Sequence, residues 1–125
     1  MSPSNIESWI KAFAPLIGQA VAIGDNRKYN VALIALDQDA AAVYADKAGV
    51  AIDAAVLAKD PGVRQIVADA VAQANSKLSR VEQIKKFSIV PDFWQPGTEV
   101  LTPTMKLRRK PINDRYAADI EDLYS

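Results

Sequence analysis

The chain contains no cysteine and no histidine. Disulfides and thiolate metal sites are therefore excluded, and the commonest metal ligand and general base are missing. Its five glycines (Gly18, Gly24, Gly49, Gly62 and Gly97) are scattered. No glycine-rich loop that could cradle a phosphate is visible. Lys plus Arg and Asp plus Glu stand at 15 each, so no net basic field recruits nucleic acid. No apolar run approaches the ~20 residues needed to span a bilayer. The N-terminus lacks the basic-then-apolar order of a signal peptide, and the expected location is the cytoplasm.

What remains is 125 residues, half of them hydrophobic, enough for a single domain over 1–125 with its own core. Ile6, Trp9, Ile10 and Phe13 recur at helical spacing until Pro15 stops the pattern. Either Ser2 before Pro3, or Ser4 with Glu7 as a capping box, can start that helix. Residues 17–23 and 31–36 read as two strands of an antiparallel hairpin, joined by a polar loop through Asp25 and Asn26. The second strand is apolar on both sides, which calls for helices above and below it. Asp37 or Asp39 caps a helix over 40–48, ended by Gly49, and a short helix follows at 53–59. Asp60-Pro61 opens the longest element, expected to reach about Lys85 with Val63, Val67, Ala70, Ala74, Leu78 and Val81 as its apolar stripe. A third strand is expected at 87–90, then a turn-rich loop with Phe93 and Trp94. Those two rings either pack the loop onto the domain or anchor a partner. A final helix from Pro111 aligns Ile112, Tyr116, Ile120 and Leu123. The fold class is α+β: a small, mostly antiparallel sheet of about three strands packed between helices, closed by a C-terminal helix.

Chemistry concentrates at residues 101–110, Leu-Thr-Pro-Thr-Met-Lys-Leu-Arg-Arg-Lys. Pro103 bars a helix and biases Thr102 towards extended backbone. The expected form is a rigid extended loop presenting Lys106 just before a basic helix. Such a lysine can meet a phosphate as a compact point charge; a solvated basic turn is the bland alternative.

The run Thr-Pro-Thr-Met-Lys-Leu-Arg-Arg resembles the last core motif of the AMP-forming acyl-CoA synthetases, in the variant of the long-chain fatty acid–CoA ligases. Many members of that family carry Ser-Gly before the motif lysine; here the pair is Thr104-Met105. The likeness extends to residues 1–7, 15–20 and 79–87, and to the closing Tyr116, Ile120, Glu121, Leu123 and Tyr124. It covers the C-terminal (lid) domain only. The resemblance implies that Lys106 is the catalytic lysine of the adenylation half-reaction. It also implies that the lid swings between two orientations against a large N-terminal domain, its partner. That domain would hold ATP with its Mg2+, the fatty acid and the loop for the nucleotide phosphates, so none is bound by this chain alone. Coenzyme A (CoA) phosphates need cations, and Arg80, Lys85, Lys86, Arg108 and Arg109 are candidates by charge only. The complete enzyme could associate peripherally with a membrane, without a transmembrane segment. Two other readings stay open: a stand-alone, non-catalytic interaction or regulatory domain derived from such a lid, and, weakest, a single-stranded nucleic-acid binder using 106–110.

Overall fold

A computed structural model describes residues 3–24 and 27–125. Ser2, Asp25 and Asn26, expected as cap and loop residues, lie outside the described residues. The elements run α1 (Pro3–Ala12), β1 (Ile17–Ile23), β2 (Asn30–Leu36), α2 (Gln38–Ala48), α3 (Ala54–Lys59) and α4 (Pro61–Asn75). A 3-10 turn (Arg80–Glu82), β3 (Ile84–Ile89), α5 (Arg109–Arg115) and α6 (Ala117–Leu123) complete the order. This is the expected α+β arrangement, with the sheet as middle layer. The strand order is β1-β2-β3. β1 and β2 form the antiparallel hairpin, whereas β2 and β3 are parallel because three helices intervene between them.

Every residue of β2 is buried. Its Ala32, Ile34 and Leu36 face a core built with Ile6 and Ile10 of α1 and Val63, Val67, Ala70 and Ala74 of α4. Leu33 and Ala35 face a second core with Leu101, Ile112, Tyr116 and Ile120. Helices thus cover both faces, as a strand apolar on both sides requires.

Local signals act as expected at the helix ends. Asp37, Asp53 and Asp60 each accept backbone N–H bonds as N-caps, and Gly49 closes α2 with φ 71°. Tyr44 donates its hydroxyl to Asp60, tying α2 to the start of α4. Gly62 permits this, since a Cβ there would lie 2.2 Å from that hydroxyl oxygen.

Three expectations are corrected. The long helix stops at Asn75, well short of Lys85. The Asn75 carboxamide accepts from Ile84 N at 2.8 Å and donates to Ile84 O at 3.0 Å, so it acts as a strand partner that starts β3. Val81, assigned to the stripe, is 85% exposed. The C-terminal helix begins at Arg109 and breaks at Tyr116, giving α5 and α6. Ile112, Tyr116 and Ile120 nevertheless share the second core. Finally, Glu7 does not cap α1: it is buried, and its carboxylate bonds to the backbone of β1.

Trp94 and Phe93 pack the 91–97 loop onto the domain. Trp94 Nε1 donates to the Tyr116 hydroxyl (2.9 Å), which donates to Asp92 Oδ2 (2.8 Å). Burial raises the Tyr116 phenol from its ordinary value of 10.0 to about 12; the Trp94 bond opposes the shift and Asp92 supports it. A phenol raised in the folded state contributes stability that is complete below pH 10 and lost as pH rises towards about 12. Tyr116→Phe is therefore expected to flatten the decline of the urea midpoint between about pH 10 and pH 12. A slope equal to that of the parent would show that Tyr116 does not carry it.

Candidate functional site

Residues 101–107 close into a β-hairpin, which corrects the expected extended loop. Leu101 and Leu107 form an antiparallel bridge. Met105 N donates to Thr102 O, and Thr102 N to Lys106 O, both at 2.9 Å. The Thr102 hydroxyl accepts from Lys106 N at 3.0 Å and shares a 3.2 Å bond with the Thr104 hydroxyl. The two threonines flanking Pro103 are thus internal fasteners of the turn. Met105 has φ 67°, the left-handed conformation that lets a three-residue hairpin loop close. It occupies the place where many acyl-CoA synthetases carry glycine.

Leu107 packs towards the second core, and Lys106, the residue before it, is exposed. The Lys106 ammonium has no hydrogen-bond or ion-pair partner among the described residues. It borders a cleft of about 350 Å³ together with Ser4, Glu7, Lys11, Gln19 and Arg109. Arg109 donates from Nη1 and Nη2 to the two Glu7 oxygens, both at 2.8 Å. Glu7 Oε2 also accepts from Ala22 N at 2.7 Å. The ion pair raises the Arg109 guanidinium further above its ordinary value, with burial opposing. Gln19, almost as buried as Glu7, receives the Lys11 ammonium on its carbonyl oxygen at 3.4 Å.

The remaining cations named from the sequence are not gathered at this cleft. Arg108 is exposed and reaches the Thr98 carbonyl at 3.4 Å. Lys85 and Lys86 are exposed on β3, at the opposite edge of the sheet from β1, and Arg80 sits on the preceding 3-10 turn. Lys86 reaches the Ser125 carbonyl at 3.4 Å and lies 5.9 Å from the Tyr29 ring centre. Of the six candidates, only Lys106 and Arg109 line one cleft. Sequence reading missed the role of Glu7. The available signal was its position beside Ile6 and three residues before Ile10, a charge placed on a core-facing helix side. Among the described residues, no group of three or more acidic side chains could hold a metal ion, and no helix is long and apolar enough to cross a membrane.

A three-stranded sheet covered by helices on both faces, with an exposed lysine on a tight turn ahead of the last helices, makes a small α+β domain. Residues 1–125 match the sequence model of the AMP-binding enzyme C-terminal domain, and the chain belongs to that family. A Mycobacterium tuberculosis protein named as a putative fatty-acid–CoA ligase, fadD11, is 50% identical over all 125 residues, which make up 22% of its length. The long-chain-fatty-acid–CoA ligase FadD15 of the same species is 38% identical over 127 positions, covering 100% of this chain and 21% of FadD15. The chain thus spans about a fifth of these relatives. Among solved structures, the adenylation domain of a Mycobacterium chelonae carboxylate reductase superposes with a TM-score of 0.72 at 20% identity, covering 99% of this chain and 18% of that one. The A-PCP didomain of the Segniliparus rugosus carboxylic acid reductase gives 0.71 at 22% identity, over 99% of this chain and 16% of that one. These two likenesses establish the fold.

The left-handed Met105 predicts a stability change. Met105 is 48% exposed, so its side chain is not part of either core. Met105→Gly is expected to raise stability by about 0.5–1 kcal/mol, because glycine adopts this conformation without the Cβ penalty. Met105→Val is expected to lower it. Urea denaturation of both variants measures the difference, and a Val variant as stable as the Gly variant would refute the strain.

Proposed function

We propose that this chain is the lid domain of a long-chain fatty acid–CoA ligase and that Lys106 stabilises the transition state of adenylate formation. The observation that carries the reading is the unpartnered Lys106 ammonium, held on a fastened hairpin beside a cleft. The whole-length similarity to proteins named as fatty-acid–CoA ligases supplies the substrate class.

The reaction has two steps. A carboxylate oxygen of the fatty acid attacks the α-phosphorus of ATP, and the bond to pyrophosphate breaks, leaving an acyl-adenylate. The thiol of CoA then attacks the acyl carbon, and AMP departs as the carbon–oxygen bond breaks. In the first step one anion must approach another. A fixed ammonium touching both the carboxylate and an α-phosphate oxygen lowers that repulsion and sets the line of attack. Lys106 acts as a charge and needs no deprotonation. Arginine substitutes poorly, because its planar fork demands a different geometry.

ATP, with its Mg2+, and the fatty acid are assigned to an N-terminal domain of the same ligase, which is also the partner of this lid. Arg80, Lys85, Lys86, Arg108 and Arg109 remain proposed contacts for CoA phosphates. Lys85 and Lys86 lie on the sheet edge away from Lys106. One orientation of a rigid lid cannot present both edges to a single pocket, so the β3 cations suit the second step, after the lid has turned. Cytoplasmic location, and peripheral association of the complete enzyme with membranes, belong to the same proposal; fractionation and vesicle flotation check them.

In the complete ligase, Lys106→Ala is expected to slow adenylate formation about 10²–10³-fold. Thioester formation from supplied acyl-adenylate should stay near the parental rate. Equal loss in both half-reactions would remove Lys106 from the adenylation role. The 125-residue chain by itself is expected to fold and to support neither half-reaction. ATP–pyrophosphate exchange by that chain would contradict the assignment of the nucleotide site to the other domain.

A further inference from the structure

We infer that Glu7 is a positioning residue for Lys106, acting through Arg109 and the strand edge; the inference rests on the adenylation role proposed for that lysine. Glu7 is 6% exposed, although it lies on a helix whose neighbouring buried residues are Ile6 and Ile10. A buried carboxylate is retained only where donors satisfy it. Here three do: Ala22 N on Oε2, Arg109 Nη1 on Oε2 and Arg109 Nη2 on Oε1. Ala22 belongs to β1, which pairs with β2 on one side only. The carboxylate thus joins α1, the sheet and the start of α5.

The geometry fixes the chain on both sides of Lys106. On the upstream side, the Thr102 hydroxyl and carbonyl hold the turn. On the downstream side, Arg108 N bonds Val100 O at 2.9 Å, and Arg109, three residues after Lys106, is held in a two-pronged grip by Glu7. The first turn of α5 has no side-chain cap, so the Glu7–Arg109 pair is the polar tie between that helix start and α1 among the described residues. Glu7 and Lys106 line the same cleft. Because Arg109 occupies both Glu7 oxygens, the carboxylate does not draw Lys106 into a competing ion pair. The arrangement therefore sets where the ammonium stands and leaves it unpaired.

The test is a double-mutant cycle in the complete ligase, comparing parent, Glu7→Gln, Lys106→Ala and the combined variant. ATP–pyrophosphate exchange reports adenylation, and thioester formation from supplied acyl-adenylate reports the second step. Glu7→Gln keeps an acceptor for Ala22 N but loses the charge held by Arg109. It is expected to slow adenylation about 10- to 10²-fold, the scale of a displacement near 1 Å, with thioester formation within about twofold of parent. In the Lys106→Ala background the same change is expected to have no further effect, because it acts only through that lysine. In ATP–pyrophosphate exchange, Arg109→Lys keeps the charge but loses the fork and should fall between parent and Glu7→Gln. Multiplicative losses in the combined variant, equal loss of both half-reactions, or no loss in Glu7→Gln would each overturn the inference. If Lys106→Ala itself leaves adenylation intact, the proposed function fails first. A potent Lys106→Ala beside a silent Glu7→Gln removes only the positioning role.

Discussion

The Glu7 carboxylate is the joint on which the rest of the domain is hung. It receives the Ala22 amide and both terminal nitrogens of Arg109, linking residues 102 positions apart. Separating a fully buried ion pair typically costs about 3–5 kcal/mol, because one charge is left without compensation. The cost here is unequal on the two sides. Arg109 is 41% exposed at its side chain and could be solvated, whereas Glu7, at 8%, could not. The carboxylate is therefore the member whose partners are least replaceable. It also terminates hydrogen bonding at an edge strand, where an open N–H would otherwise invite pairing with another chain.

Around this joint the domain separates a packed frame from an exposed tip. The frame has two cores, one on each sheet face, with β2 shared between them. A second set of ties fastens the far end. Tyr29 donates to Leu123 O, Tyr124 donates to Tyr29 O, and the Arg27 guanidinium stands 4.6 Å from the Tyr124 ring centre. The tip is the 101–107 hairpin, whose threonine hydroxyls are spent on its own closure. Under the function proposed above, an ammonium carried by a turning lid keeps its direction only if its own support travels with it. The hairpin and the Glu7–Arg109 pair both lie within this one domain, so they meet that requirement.

Much of the fold was legible where the controlling chemistry is local. Asp37, Asp53 and Asp60 reach amides within three residues of themselves, and Gly49 answers a backbone angle at its own position. The β1–β2 hairpin follows from two apolar runs and a short polar loop. The end of α4 was not legible, since Leu78 and Val81 continue a helical rhythm in the sequence. What stops the helix is Asn75 bonding Ile84, nine residues on, a contact that exists only once β3 lies beside β2. The parallel pairing of β3 escaped for the same reason. The 101–107 turn was misread as extended because its closure depends on threonine hydroxyls and on a left-handed methionine, which propensity alone disfavours.

From the order of residues alone came the helix caps, the amphipathic faces, the absence of thiol and imidazole chemistry, and the motif that singles out Lys106. Each is a property of a short stretch or of composition. The tertiary structure decided which charges are engaged. It turned Glu7 from an apparent cap into a buried tie, gave Arg109 to that tie, and left Lys85 and Lys86 on the other edge of the sheet. The reason is distance along the chain: an ion pair spanning 102 residues is set by how helices and strands pack, and no local pattern encodes it.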